Sequence, residues 1–461
     1  MALIVSISGV RGTIGGRPGE NLTPVDIVAF ASAYGQWLKK QTGDQAPRVV
    51  IGRDARPSGE MVSALVINTL VGSGIDVIDL GLSTTPTVEV AVPKQKADGG
   101  IIITASHNPV IWNALKLLNN KGEFISAADG NELLAMIKAR DFAFADVHAL
   151  GKVHTYTQAI EDHIAALLER PEIDTVAIAK AGFTVAVDAV NSTGGLAIPK
   201  LLEALGVKNI KKLHCEPTGW FAHNPEPLKE HLGDIMQLVK TEKCDLGIVV
   251  DPDVDRLALI DENGEMFGEE YTLVAVADYL LSLKSGPTVS NLSSSRALAD
   301  LTHAYKAEYH AAAVGEVNVV EKMKAVGARI GGEGNGGVIW PDFHYGRDAL
   351  AGIALILTHL AKTGLTLSQL RAKYPAYYMS KNKIELQPGM DTAALLKKVE
   401  EKYQGERLTT IDGVKIDFAD SWVHLRRSNT EPIIRIYTEA RSQKEADTLA
   451  ERFVSELKAL I

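Results

Sequence analysis

The chain has 461 residues, 46% of them hydrophobic and 23% charged, with a formal net charge of -9. That length exceeds what one core sustains and predicts about three or four domains of roughly 100–150 residues. The acidic balance argues against a global pull toward nucleic acid or an anionic membrane. No apolar run approaches the roughly 18 residues of a membrane span, and Cys215 and Cys244, without CxxC spacing, argue against a disulfide framework or a cysteine zinc site. Met1 to Ser6 lacks the basic and then apolar pattern of a secretory signal, so the expected location is the cytoplasm.

In chain order, Thr23-Pro24-Val25-Asp26 opens a helix with a capping hydroxyl, proline at the first helical position and an acid three residues on. Ile27, Ala31, Tyr34 and Leu38 fall on its apolar face. A β-branched run, a polar loop and a helical stretch then recur. Arg48 to Ile51 precedes Gly52-Arg53-Asp54, and Ile101 to Thr104 precedes Ala105-Ser106-His107-Asn108-Pro109. Phe183 to Val187 leads into Asp188, Leu246 to Val250 into Asp251, Thr288-Val289 into Ser290 to Ser295, and Ala328 to Ile330 into a glycine-rich loop. Such alternation predicts α/β units with crossover helices. The last 80 or so residues read as a separate α+β unit: strands flanking Asp412-Gly413, strands at Trp422 to Leu425 and Ile433 to Thr438, and a helix from about Gln443. Arg371 to Lys381, with three tyrosines, reads as a hinge into it. The expected division is 1–150, 151–257, 258–371 and 372–461.

Four loops are candidates to carry chemistry; the alternatives are an acidic surface turn at 251–256, a plain connector at 331–337 and a solvated turn at 426–432. Ser106 is presented at the end of a buried strand, where α/β sheets meet ligands, so its hydroxyl suits a nucleophile or phosphoryl carrier; a plain turn is the alternative. Asp251-Pro252-Asp253-Val254-Asp255-Arg256 places three carboxylates at alternate positions. Two such charges about 4 Å apart repel by roughly 4 kcal/mol at an effective dielectric of 20, which a divalent cation removes. Oxygen-only ligands favour Mg²⁺ over Zn²⁺. In Gly331-Gly332-Glu333-Gly334-Asn335-Gly336-Gly337, glycines allow close backbone approach while Glu333 and Asn335 offer hydrogen bonds to sugar hydroxyls. Arg426-Arg427-Ser428-Asn429-Thr430-Glu431-Pro432 has the donors of a phosphate cradle.

Together and in this order, the four loops resemble those of the α-D-phosphohexomutase superfamily: a phosphoserine loop, a metal loop, a sugar-recognition loop and a phosphate-binding loop. Gly52 to Arg56, Thr85-Pro86 and Val314-Gly315 are supporting matches. The resemblance implies three similar α/β domains with mixed sheets plus a smaller C-terminal α+β domain of the TATA-box-binding-protein-like type, around a central cleft. It implies phosphate transfer between O1 and O6 of a hexose through phosphorylated Ser106 and a bisphosphate sugar.

On that basis Ser106, Asp251, Asp253 and Asp255 hold Mg²⁺, while Lys116, Arg256, His107 and Arg11 serve the chemistry at the serine. Glu333 and Asn335 read the sugar, and Arg426, Ser428, Asn429 and Thr430 hold the distal phosphate. Hexose 1,6-bisphosphate is the implied activator, a phosphosugar the implied partner, and a monomer or homodimer the implied assembly, with neither nucleic acid nor membrane as partner. Amino-sugar mutases that interconvert glucosamine phosphates are favoured over glucose and mannose mutases. A serine-dependent metallophosphatase and a non-catalytic sugar-phosphate binder are the alternatives from other classes. Two departures stand out: Gly337 lies where many relatives carry histidine, so a general acid/base role there is either lost or supplied by Lys116 or His344, and Glu316-Val317-Asn318 follows Gly315 where many carry Lys or Arg.

Overall fold

The β-branched runs are central strands buried on both faces, as parallel strands between helices must be. In the computed structural model, which describes residues 3–6, 8–43, 46–386, 391–428 and 433–460, Arg48–Arg53 pairs in parallel with both Gly99–Ile103 and Asp76–Leu82. Val49, Ile51, Ile101 and Ile103 face one apolar cluster, which includes Ile27, Tyr34, Val66 and Leu133 from three helices. Their neighbours Val50 and Ile102 face a second, with Val88 and Val92 of the helix Thr85–Lys94. Period-two alternation thus sorts one strand set into two helix-covered faces. The first helix, Pro24–Thr42, opens as its sequence predicts: Asp26 accepts from the Thr23 backbone at 3.0 Å, and Ile27, Ala31, Tyr34 and Leu38 are buried.

The chain forms two compact units, Met1–Thr272 with Asn335–Leu370, and Leu273–Gly334 with Arg371–Ile461. The first contains a seven-stranded mixed sheet, running Leu3–Ser6, Gly9–Thr13, Trp112–Leu118, Gly99–Ile103, Arg48–Arg53, Asp76–Leu82 and Val153–Thr155. It also contains a four-stranded sheet in which Asn209–Leu213, Thr184–Asp188 and Leu246–Val250 are parallel and Leu257–Ile260 is antiparallel. Two central loops of the site follow from this layout: Gly99–Ile103 runs into the serine turn, and residues 251–256 join the antiparallel pair Leu246–Val250 and Leu257–Ile260.

In the second unit, Thr288–Asn291 lies between the parallel strands Tyr309–Ala312 and Ile330–Glu333. The C-terminal part is a five-stranded antiparallel sheet, Tyr378–Glu385, Ile433–Ala440, Trp422–Arg427, Val414–Asp417 and Arg407–Thr409, with helices Thr392–Lys402 and Gln443–Leu460. The expected final helix begins where the sequence places it. The hairpin at Asp412-Gly413 is there, but residues 410–413 all lie between its strands, because Thr409 pairs with Lys415. The expected hinge starts at Arg371, where the C-terminal segment of the second unit begins. Tyr378–Glu385 is a strand on Ile433–Ala440, and the segment before it is pinned by Tyr374 to Asp278 at 2.9 Å and Tyr377 to Asp300 at 2.5 Å. Three tyrosines signal an anchored segment as readily as a pivot, since buried phenols need hydrogen-bond partners.

Candidate active site

Ser106 sits at φ +49°, left-handed backbone that a side chain other than glycine enters at a cost of roughly 1–2 kcal/mol. What holds it there is a buried guanidinium. Arg56, 1% exposed, donates through Nη2 to the carbonyls of Ser106 and Asn108 (2.7 Å for the latter), and through Nη1 to those of Pro109 (2.7 Å) and Trp112 (3.2 Å). Its Nε donates to Asp54 at 2.9 Å, Asp54 accepts from the Thr104 hydroxyl at 2.6 Å, and that hydroxyl accepts from the Ser106 backbone at 2.9 Å. Burial pushes the Asp54 carboxyl up, while Arg56 and Thr104 pull it down. The serine turn is therefore clamped from both ends by one ion pair.

The turn aims Ser106 Oγ at Asp251, to which it donates at 2.7 Å; His107 Nδ1 lies 3.3 Å from the same oxygen. Asp251, Asp253 and Asp255 are all fully buried or nearly so, with one carboxylate oxygen from each within 4.8 Å of the others. Their loop is braced: Asp251 Oδ1 accepts from the backbone of Asp255 and of Arg256 at 3.1 Å each, and the Pro252 carbonyl accepts from Ser192 and Thr193. Val254 is held at φ +65°, a strained setting for a β-branched residue.

Cations ring the triad. Lys116, on the strand beside the one that feeds the serine turn, donates to Asp253 at 2.7 Å and Asp255 at 3.4 Å. Arg347 Nη2 donates to Asp255 at 2.6 Å, the Thr85 hydroxyl to Asp253 at 2.6 Å, and Arg256 Nε lies 3.9 Å from Asp255. Burial and repulsion from its two neighbours push the Asp251 carboxyl well up. Burial also opposes ionisation of Asp253, but Lys116 and Thr85 overcome it and hold that carboxyl low. Lys116 keeps its proton against burial because both carboxylates face it. His107 is held well below the usual imidazole range by burial, Arg256, Arg347 and Arg11, and is neutral at neutral pH. Asp253 Oδ1 and Asp255 Oδ1 are buried with no hydrogen-bond partner among the described residues. Orphaned anionic oxygens of this kind fit a hard divalent cation.

Ser106, His107, Lys116, Asp251, Asp253, Asp255 and Arg256 are thus brought together as expected, with Arg11 close enough to act on His107. Asn335, in the same unit, turns to its own loop, accepting from the Gly337 backbone at 3.2 Å. In the second unit Glu333 is 5% exposed and accepts from Asn291 at 2.8 Å and from the Gly315 backbone at 3.1 Å. Arg426 and Ser428 lie at the end of the strand Trp422–Arg427, and Arg426 Nε has no hydrogen-bond partner among the described residues. Asn429 and Thr430 lie outside the described residues.

Position 337 leaves no room for a histidine. A Cβ on Gly337 would lie 2.4 Å from Arg347 Cδ, so the space belongs to Arg347. His344 faces Asp348 at 3.1 Å and Glu89 at 3.6 Å, whereas Lys116 lies on the triad, at Asp253 and Asp255. Arg347, like Arg56 and Thr85 as working parts of the site, escapes sequence reasoning; the last two stand in loops that the sequence marks only as supporting matches.

A serine hydroxyl directed at three buried carboxylates, which are countered by Lys116, Arg256 and Arg347, is an arrangement that can transfer a phosphoryl group, since such chemistry is mostly positioning and charge neutralisation. The comparisons agree with that class. The models for phosphoglucomutase/phosphomannomutase α/β/α domains I, II and III match residues 3–144, 161–264 and 268–378, and that for the C-terminal domain matches 383–456. The chain belongs to the phosphoglucomutase/phosphomannomutase family, with its three α/β/α domains and C-terminal domain. It is 38% identical to a phosphoglucomutase/phosphomannomutase of Thermococcus kodakarensis (97% of this chain, 96% of that one). It is 32% identical to a phosphoglucosamine/phosphogalactosamine mutase of Sulfurisphaera tokodaii (100% and 99%). Among solved structures, a phosphoglucomutase/phosphomannomutase family protein from Burkholderia thailandensis superimposes with a TM-score of 0.84 at 25% identity (99% and 98%). Among the described residues, no helix is long and apolar enough to cross a membrane.

Proposed function

We propose that this chain is a phosphohexomutase that carries its phosphoryl group on Ser106 Oγ and interconverts glucosamine 6-phosphate and glucosamine 1-phosphate. The observation that carries the reading is the Ser106 hydroxyl, 2.7 Å from Asp251 in a buried carboxylate triad with two orphaned oxygens. In the first half-reaction the P–O bond to Ser106 breaks as one forms to the free sugar hydroxyl, and the hydroxyl proton ends on Ser106 Oγ. The bisphosphate sugar then turns over and the reverse transfer returns its other phosphate to Ser106. Mg²⁺ held by Asp251, Asp253, Asp255 and an oxygen on Ser106 supplies charge neutralisation for the transferring group. Lys116, Arg256 and Arg347 offset the remaining negative charge, and Arg56 keeps the serine aimed.

Glu333 reads the sugar, and its carboxylate suits the ammonium of an amino sugar. Arg426, Ser428, Asn429 and Thr430 take the distal phosphate, with Asn335 shaping the sugar loop. The partners on this reading are phosphosugars, with hexose 1,6-bisphosphate as activator. The two thiols, free Cys215 and Cys244, fit the reducing cytoplasm. A second reading, in which glucose and mannose phosphates are the substrates, is favoured by the 38% identity to the Thermococcus kodakarensis protein.

A coupled assay of glucosamine, glucose and mannose phosphates, with Mg²⁺ and a trace of 1,6-bisphosphate, separates the two by kcat/KM. Ser106→Ala is expected to abolish turnover of all three. Near wild-type turnover in that variant rejects the carrier, and release of inorganic phosphate without isomerisation indicates a phosphatase instead.

A further inference from the structure

Away from the serine and the acidic triad, three ligating side chains converge at the carboxyl ends of two adjacent parallel strands. Asp188 ends Thr184–Asp188, its register partner is Leu213, and His214 follows at once; His223 arrives from the loop beyond. Asp188 Oδ2 lies 3.1 Å from His214 Nδ1 and 3.1 Å from His223 Nε2, and the three ligand atoms are all within 4.8 Å of one another. Two ligands sharing a tetrahedral ion at metal–ligand bonds of about 2.0–2.1 Å stand about 3.3 Å apart, so these spacings need little adjustment. Asp188 is buried, whereas the His214 and His223 side chains are 20% and 14% exposed, which leaves an entry path.

The hydrogen bonds behind the cluster point the same way. His223 Nδ1 lies 2.8 Å from the Asn224 carbonyl, which can only accept. With Nδ1 turned to Asn224, Nε2 faces the Asp188 carboxylate, an arrangement built around a positive charge between them, either a second ring proton or a metal ion. A ligating histidine characteristically donates its other ring N–H to a carbonyl or carboxylate. His214 repeats the pattern less closely, with Nε2 4.0 Å from the Asp234 carboxylate.

We propose that Asp188, His214 and His223 form a second metal site, selective for a divalent transition ion and filled by Zn²⁺. Two imidazoles and one carboxylate suit Zn²⁺, whereas the all-oxygen triad suits Mg²⁺. The site is structural. It ties down the loop that carries Gly219 and Phe221: a Cβ on Gly219 would lie 1.7 Å from the Ala55 carbonyl, and the Phe221 ring lies 4.9 Å from Arg56 Cζ. The ion therefore braces the floor beneath Arg56, which clamps the serine turn.

The test uses the full-length protein stripped with a chelator and titrated with Co²⁺, read by its visible absorption, and with Zn²⁺, read by calorimetry. Wild type and Asp253→Asn are expected to bind one equivalent with a nitrogen-ligand Co²⁺ spectrum. His223→Gln and His214→Gln/His223→Gln are expected to bind at least about tenfold more weakly, and Zn²⁺ should raise the thermal midpoint only where both histidines remain. Equal binding by a folded double variant, or loss of the site with Asp253→Asn, overturns the proposal. So does folded wild type that yields no Co²⁺ band, the result expected if a proton alone joins the three groups; this arm decides the matter even if the double variant does not fold.

Discussion

Replacing Arg56 by methionine removes the clamp on the serine turn while nearly preserving volume. The guanidinium is 1% exposed and paired with an Asp54 that is fully buried. Removing one partner of such a pair strands the other charge, at a cost of about 3–5 kcal/mol. The carbonyls of Ser106, Asn108, Pro109 and Trp112 also lose their donor. Water can reach part of the turn, so we take about 4 kcal/mol as the expected loss rather than a sum over every bond. Asp54→Asn with Arg56→Met should recover about 2 kcal/mol of it, because no charge is left stranded. Urea unfolding of wild type, both single variants and the double variant measures this coupling. Freed from Arg56, Ser106 is expected to relax from φ +49°, carrying Oγ away from Asp251. Turnover should therefore fall more than substrate affinity. Arg56→Lys keeps the charge but not the fork, and should recover stability better than turnover. A loss below about 1 kcal/mol for Arg56→Met, or additive single effects with unchanged kcat, would refute the clamp.

Lys116→Met leaves Asp253 and Asp255 without their shared cation and should lower kcat/KM by about two to three orders of magnitude in the coupled assay; wild-type activity would exclude a role in charge stabilisation. Gly337→His is expected to displace Arg347 from Asp255, since the new Cβ meets Arg347 Cδ at 2.4 Å, and steady-state kinetics should show a loss and not a gain of activity. Chelation should abolish turnover, with Mg²⁺ and Zn²⁺ together restoring it and Zn²⁺ alone failing to. In the second unit, burial lowers the His424 imidazole to about 4, while the unfolded chain titrates near 6.5. Between those values only the unfolded chain takes up the proton, so stability present above pH ~6.5 is lost as pH falls toward ~4, by about 3 kcal/mol. Unfolding of wild type against His424→Gln across that window should show the steeper acid loss in wild type; parallel profiles would exclude His424 as the cause.

Much that is local could be read directly from the chain. The capping pair Thr23 and Asp26, the apolar face of Pro24–Thr42 and the C-terminal helix from Gln443 depend on neighbours within a few turns. The serine and aspartate loops were legible for a related reason: a buried strand that stops abruptly at polar residues must place them at a sheet end, where chemistry is done. Mixed cues read less well. The partners of Tyr374 and Tyr377 could not be read in this way, because what a phenol does depends on the acceptor it meets, and Asp278 and Asp300 are distant in sequence.

By itself, then, the sequence determined the strand–helix rhythm, the four motif loops and their order, and hence which hydroxyl and which carboxylates are candidates for the chemistry. Only the tertiary structure decided what holds and charges them. Arg56 reaches Ser106 across 50 residues, Arg347 reaches Asp255 across 92, and Thr85 reaches Asp253 across 168. Asp188, His214 and His223 likewise become one cluster only at neighbouring strand ends. Periodicity and capping report forces acting along a few residues of backbone. Burial of charge is settled by whichever partner the packed sheets bring within hydrogen-bond range, and no local pattern records that choice.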